Sequence, residues 1–136
     1  MNLFDEKEST IEEIVDELKI SKRSYDKIKE LDMIEDLILM FRKDNDLNVC
    51  RSDMKYAFQN KEVIGYILLS NDNNLMIDID KENKEPKSAL LLIQDIVYDI
   101  TLSNKIIDRI KTKDLDFFIC FKQSSNKRIN GLIMGK

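Results

Sequence analysis

Three glycines and one proline in 136 residues leave this chain few places to turn sharply. Glycine supplies the left-handed dihedrals of tight turns and proline presets their first corner. A β-sandwich needs a turn signal about every 8–12 residues, so the scarcity argues against an all-β fold. With 43% hydrophobic and 35% charged residues the chain still has enough large apolar side chains to bury a core, unlike a segment that stays unfolded. What remains is a helix-rich or mixed fold. The length suits one domain, or a small helical module joined to a compact α/β unit.

Local patterning divides the chain. Ser9-Thr10-Ile11-Glu12 has the S-x-x-E form of a capping box, in which the hydroxyl accepts an amide three residues on and the carboxylate reaches back. Ile11, Ile14, Val15 and Leu18 follow on one helical face, with Glu12, Glu13, Asp16 and Glu17 opposite. The period breaks at Lys19-Ile20-Ser21, and Ser21 is a good cap for a second helix that turns Tyr25, Ile28 and Leu31 inward. A third helix is expected over about 32–43, with Ile34, Leu37, Ile38 and Phe41 on its stripe. After the polar break at 44–48, a short helical piece capped by Ser52 carries Met54, Ala57 and Phe58.

Beyond residue 60 the pattern changes. Residues 63–69 (VIGYILL) and 75–79 (LMIDI) flank a Ser-Asn-Asp cluster and predict an antiparallel pair; Leu75, Ile77 and Ile79 face inward, Met76, Asp78 and Asp80 outward. Pro86 is placed to start a helix, and SALLLIQDIVYDITL from Ser88 reads as that helix, with Leu90, Ile93, Ile96, Val97 and Ile100 on a broad apolar face. LDFFICF (115–121) and GLIM (131–134) read as two further strands paired with each other. The expected architecture is α+β: an N-terminal three-helix module, residues 1–46, followed by a β-β-α-β-β unit, residues 47–136. In that unit a central apolar helix packs on an antiparallel sheet and serves dimerisation or partner binding.

Several chemistries find no residues. The chain has no histidine, which removes the usual neutral-pH base, the His-dependent triads and most zinc sites. Asp44-x-Asp46-x-Asn48 begins like a calcium loop, but Val49 and Lys55 stand where glycine and glutamate are needed. Asp78 and Asp80 share a strand face and read as a solvated hairpin rather than a magnesium site. Three glycines cannot build a phosphate loop. Cys50 and Cys120 have no neighbouring base, and Cys120 is expected in the core. No enzyme activity, cofactor or metal is expected. MNLFDEKEST has neither the cationic start nor the apolar run of a secretory signal, and no window is apolar enough to span a bilayer, so a cytoplasmic protein is expected.

The net charge of −4 disfavours a polyanionic partner, yet its distribution is uneven. Residues 103–136 hold eight Lys/Arg against three Asp/Glu, and residues 19–31 hold five cations against two acids. Within 10–31, Ile14, Leu18, Ile20, Ser21, Tyr25 and Ile28 stand where a helix-turn-helix has its inward positions and its turn serine. The stretch resembles the helix-turn-helix of bacterial and phage DNA-binding proteins, over about a sixth of the chain. Val15 departs from the usual small alanine there, and Lys19 departs from the glycine that accepts the turn's positive φ.

The resemblance implies that Lys22, Arg23, Ser24, Lys27 and Lys29 lie on or beside a helix entering the major groove of double-stranded DNA, with Arg23 reading bases and the lysines on phosphates. It implies a small transcriptional regulator, expected to work as a homodimer. The basic segment carrying Lys105, Arg109, Lys111, Lys113, Lys122, Lys127 and Arg128 adds phosphate contacts if it folds to the same side. The alternative is a non-enzymatic protein-binding adaptor, chaperone-like or viral host-modulating, whose basic helix face is simply solvated.

Overall fold

A computed structural model describes residues 9–69, 74–80, 84–110 and 114–136. Four short helices come first: α1 (Ile11–Leu18), α2 (Lys22–Glu30), α3 (Ile34–Phe41) and α4 (Arg51–Phe58). Strands β1 (Glu62–Leu69), β2 (Leu75–Ile79) and β3 (Pro86–Asp95) follow, then α5 (Ile100–Ile110), β4 (Asp116–Gln123) and β5 (Arg128–Gly135). The α+β class holds.

The capping box exists one residue later than its sequence form suggests. Thr10 Oγ1 accepts the Glu13 amide at 3.2 Å, and Glu13 Oε1 accepts the Thr10 amide at 3.4 Å. Ser21 caps α2 as expected, accepting the Ser24 amide at 3.1 Å. The fourth helix starts after Cys50 rather than Ser52; the Cys50 Sγ and Ser52 Oγ lie 3.1 Å apart.

The five strands form one mixed sheet in the order β2-β1-β5-β3-β4. The β1–β2 antiparallel pair is present, with Ile67 opposite Ile77; residues 70–73 of its connection lie outside the described residues. The central helix expected from Ser88 is overturned, because residues 86–95 are a strand. That strand lies between β5, antiparallel, and β4, parallel. Leu90 and Leu92 point to one side of the sheet, and Ala89, Leu91 and Ile93 to the other, all at most 1% exposed. Pairing on both edges and burial on both faces overrides the helical preference of Ala and Leu, and an apolar run this short does not distinguish the two by its period. Pro86 starts a strand, a position where its missing N–H is tolerated. The helix begins only at Ile100, capped by Asp99, whose Oδ1 accepts the Leu102 amide at 3.1 Å.

A second correction concerns β4 and β5. They are not partners: β5 inserts between β1 and β3, while β4 runs parallel to β3 through the α5 crossover, so the sheet is not wholly antiparallel. Gly131 makes the insertion possible, since a Cβ there would sit 2.9 Å from both the Leu90 carbonyl oxygen and Ile67 Cδ1. Leu47, in the expected polar break, forms an isolated bridge on β4, exchanging backbone hydrogen bonds of 3.0 Å with Phe121.

Two apolar clusters sandwich the sheet. On one face Ile14, Leu18, Ile28, Leu37, Met54 and Phe58 of the first four helices pack on Leu90, Leu92, Cys120, Leu132 and Met134. On the other, Ile106 and Ile110 of α5 cover Ile64, Ile67, Leu91, Ile93, Ile129 and Ile133. The first cluster runs without interruption across residue 46. Polar pins fix the layers: Ser88 Oγ donates to the Ala57 carbonyl at 2.6 Å, and buried Asp36 accepts two bonds from Arg128 and one, at 2.9 Å, from Asn130. No helix among the described residues is long and apolar enough to cross a membrane.

Candidate functional site

The corner between α1 and α2 is built from Lys19, Ile20 and Ser21. Lys19 closes α1 in the left-handed region, φ 54° and ψ 45°, and the Ile20 amide reaches back to the Val15 carbonyl at 3.0 Å. Glycine is the usual residue here because a Cβ is unfavourable at positive φ. The backbone therefore turns sharply between α1 and α2 through a left-handed residue despite the lysine. Asp32 ends α2 in the same way, at φ 58°, with the Met33 amide bonded to Ile28 O at 3.0 Å.

The five residues expected to contact DNA divide into three groups. Lys22, Arg23 and Lys29 are exposed, and Lys27 is half-buried. Ser24 is corrected: it is 1% exposed and faces the sheet, where its Oγ accepts the Val63 amide at 2.9 Å. Serine four residues before Ile28 lies on the same helical side as that buried isoleucine, so the inward face includes it. The outward arc is also mixed, because Asp26 and Glu30 are exposed on it beside the cations. Major-groove entry by the whole length of α2 thus meets two carboxylates.

The positive charge concentrates instead at the N-terminal end of α2. Lys22 and Arg23 occupy the first turn, which has no acid, although the helix dipole favours anions there. Arg23 is 82% exposed and its guanidinium stands 3.8 Å from Glu62 at the start of β1; Lys84 holds the same carboxylate. These two cations, with Lys84 as the hydrogen-bonding partner, keep the Glu62 carboxyl below its usual range against an opposing effect of burial.

Beside this end lies a cavity of about 590 Å³. Ser21 lines it together with Lys19, Lys55, Lys61, Lys84 and Lys136. Its acids, Glu17 and Glu62, already face Arg51 at 3.8 Å and the Lys84–Arg23 pair. These lysines come from α1, α4, the start of β1, the approach to β3 and the end of β5, so no local stretch of sequence announces the cluster. It forms because β1 and β3 start, and β5 ends, at the same end of the sheet, with Gly135 opposite both Glu62 and Pro86.

The C-terminal cations lie elsewhere. Lys105 and Arg109 belong to α5, on the opposite face of the sheet from α1–α4. Lys122 and Arg128 pair with Gln94 at the far end of the sheet, where Arg128 is bonded to Asp36 and Lys127 stands 3.8 Å from Asp95. That Asp36 bond raises the Arg128 pKa, with burial opposing and the charges of Asp36, Asp32 and Glu35 adding to it. Lys111 and Lys113 lie outside the described residues. The expected joining of this segment to α2 does not occur for its five described members, which lie on α5 or at the sheet's far end.

Buried Cys120 is inert chemistry in a core position; burial pushes its thiol up to about 11. Among the described residues no group of three His, Cys, Asp or Glu is arranged to hold a metal ion. No protein-family model matches the chain, and no curated protein matches it either.

Proposed function

We propose that the protein is a non-enzymatic DNA-binding regulator that holds duplex DNA at the α1–α2 corner, through backbone phosphates more than through bases. The observation that carries this reading is the gathering of cations from separate segments around Ser21, with Lys22 and Arg23 at the positive end of α2. A phosphate placed there faces unpaired helix amides and nearby cations at once. Asp26 and Glu30 oppose deep groove entry, which leaves Arg23 as the one guanidinium on α2 able to reach a base edge. Two copies acting as a homodimer, with their corners about one DNA turn apart, double the phosphate contacts of a modestly charged module.

Fluorescence anisotropy with a labelled duplex tests this. Engagement of three phosphates gives a log–log salt slope of about −2.7, so binding weakens roughly 40-fold between 50 and 200 mM salt. Arg23→Glu and Lys22→Glu abolish it, and Lys27→Glu weakens it less, because Lys27 is half-buried. Unchanged binding in Arg23→Glu and Lys22→Glu sinks the reading.

A second reading, a protein-binding adaptor, is favoured by Ile96, Val97 and Ile100, which are 61%, 66% and 63% exposed where β3 leads into α5. Recovery of one stoichiometric polypeptide partner, lost in Val97→Asp, supports it over the first.

A further inference from the structure

The lysine cavity continues into a second one of about 700 Å³, and Gln59, Asn60, Lys61 and Lys136 line both. This shared ridge is tightly constrained. Lys61 Nζ donates to the Tyr56 carbonyl at 2.8 Å and lies 4.4 Å from the centre of the Tyr56 ring. Lys136 is fixed by its backbone, which exchanges hydrogen bonds with Glu85 at 3.0 and 3.3 Å. Burial, and after it the charge of Lys136, lowers the Lys61 pKa, with Asp116 partly offsetting. The Lys61 ammonium is therefore held by contacts that do not neutralise it, and Lys136 lines the same two cavities.

Three of the four acids around them are engaged, and Asp114, which lines the second cavity, is exposed to solvent. Glu17 faces Arg51, Glu62 faces Lys84 and Arg23, and Asp116 accepts from the Tyr56 hydroxyl, which raises that hydroxyl's pKa. Among the described residues Lys19, Lys55, Lys61 and Lys136 have no carboxylate within 4.0 Å. A compact dianion or a diester phosphate between Lys61 and Lys136 removes their repulsion, and lysine suits it as a point charge that needs no planar fork. Asn60 and Gln59 supply neutral donors at the same ridge.

We propose that Lys61 and Lys136 clamp a phosphate group at this ridge, with Lys55 and Lys19 behind it, the phosphate being borne by a nucleic-acid backbone or by a small phosphorylated molecule. This deepens the DNA-binding reading, on which it rests only for the expected source of the phosphate.

The test is calorimetric titration of the full chain with pyrophosphate, with a 12-nucleotide strand carrying a 5′-phosphate, and with the same strand lacking it. Wild type, Lys61→Gln/Lys136→Gln and, as a control of equal charge change, Lys105→Gln/Lys127→Gln are compared. Pyrophosphate binding that falls at least fivefold in the ridge variant and stays within twofold in the control supports the clamp; equal losses in both overturn it. Preference for the 5′-phosphorylated strand identifies a terminal phosphate, equal binding of both strands identifies the internal diester, and pyrophosphate binding alone identifies a small ligand. Should the ridge variant fold poorly, reductively ¹³C-methylated wild type replaces it: pyrophosphate must shift the Lys61 and Lys136 methyl signals and leave Lys105 unmoved. Duplex binding lost while pyrophosphate still binds refutes the regulator and keeps the clamp. Duplex binding with an unchanged salt slope in the ridge variant, together with no pyrophosphate effect, refutes the clamp alone.

Discussion

Replacing Ser24 with alanine removes the acceptor that α2 offers to the Val63 amide, a contact 39 residues apart in sequence that docks the helix on β1. The serine is 1% exposed, so no water restores that acceptor from the helix side. A net hydrogen bond contributes about 0.5–1.5 kcal/mol, and a buried donor left unpaired costs about 1–3 kcal/mol. Val63 is only half-buried, which places Ser24→Ala toward the lower part of that range, about 1–2 kcal/mol. For a chain of this size that lowers the thermal midpoint by about 3–8 °C. Unfolding followed by circular dichroism measures it, with Lys22→Ala as an exposed control expected within about 0.5 kcal/mol of wild type. Duplex affinity, measured below the transition, stays unchanged in Ser24→Ala. An unaltered midpoint combined with weakened DNA binding refutes the reasoning, because Ser24 then acts on the ligand and not on β1.

Other outcomes follow from single residues. Lys19→Gly relieves a side chain at φ 54° and raises the urea midpoint by about 0.5–1 kcal/mol equivalent. Gly65→Ala drives a Cβ to 2.3 Å from the Asp78 carbonyl oxygen, so the β1–β2 pair parts and amide exchange of Ile67 and Ile77 accelerates. Asp36→Ala strips the partner of Arg128 and of buried Asn130 and costs about 2–4 kcal/mol in denaturant unfolding. In native protein a thiol reagent modifies exposed Cys50 rapidly and Cys120 only on unfolding. The folded Cys120 thiol ionises at about 11 and the ordinary one at 9.0, so the unfolded chain loses its proton first; stability falls as pH rises through that interval, and Cys120→Ser flattens the decline.

Amphipathic periodicity made α1, α2, α3 and β2 legible, since each shows polar positions to water, while β1 was legible from its β-branched run beside a turn cluster. Periodicity failed at residues 86–95, where both sides are buried and no polar phase survives to distinguish 3.6 from 2. It failed again for β4 and β5, because their partners are chosen by residues far away, and proximity in sequence suggested the wrong pairing. Of the candidate site, Lys22, Arg23 and Lys29 were readable as outward positions. Ser24 was misassigned although its four-residue spacing from Ile28 points inward. Lys61, Lys84 and Lys136 carried no signal at all, since only the meeting of strand ends brings them beside Ser21.

The position of β5 has a consequence for biosynthesis. β1–β2 and β3–α5–β4 emerge before β5 as two half-sheets bridged by the helical layer alone, and each exposes an unpaired edge until residues 128–135 emerge. A nascent chain stalled before Arg128 is therefore a substrate for chaperones and proteases.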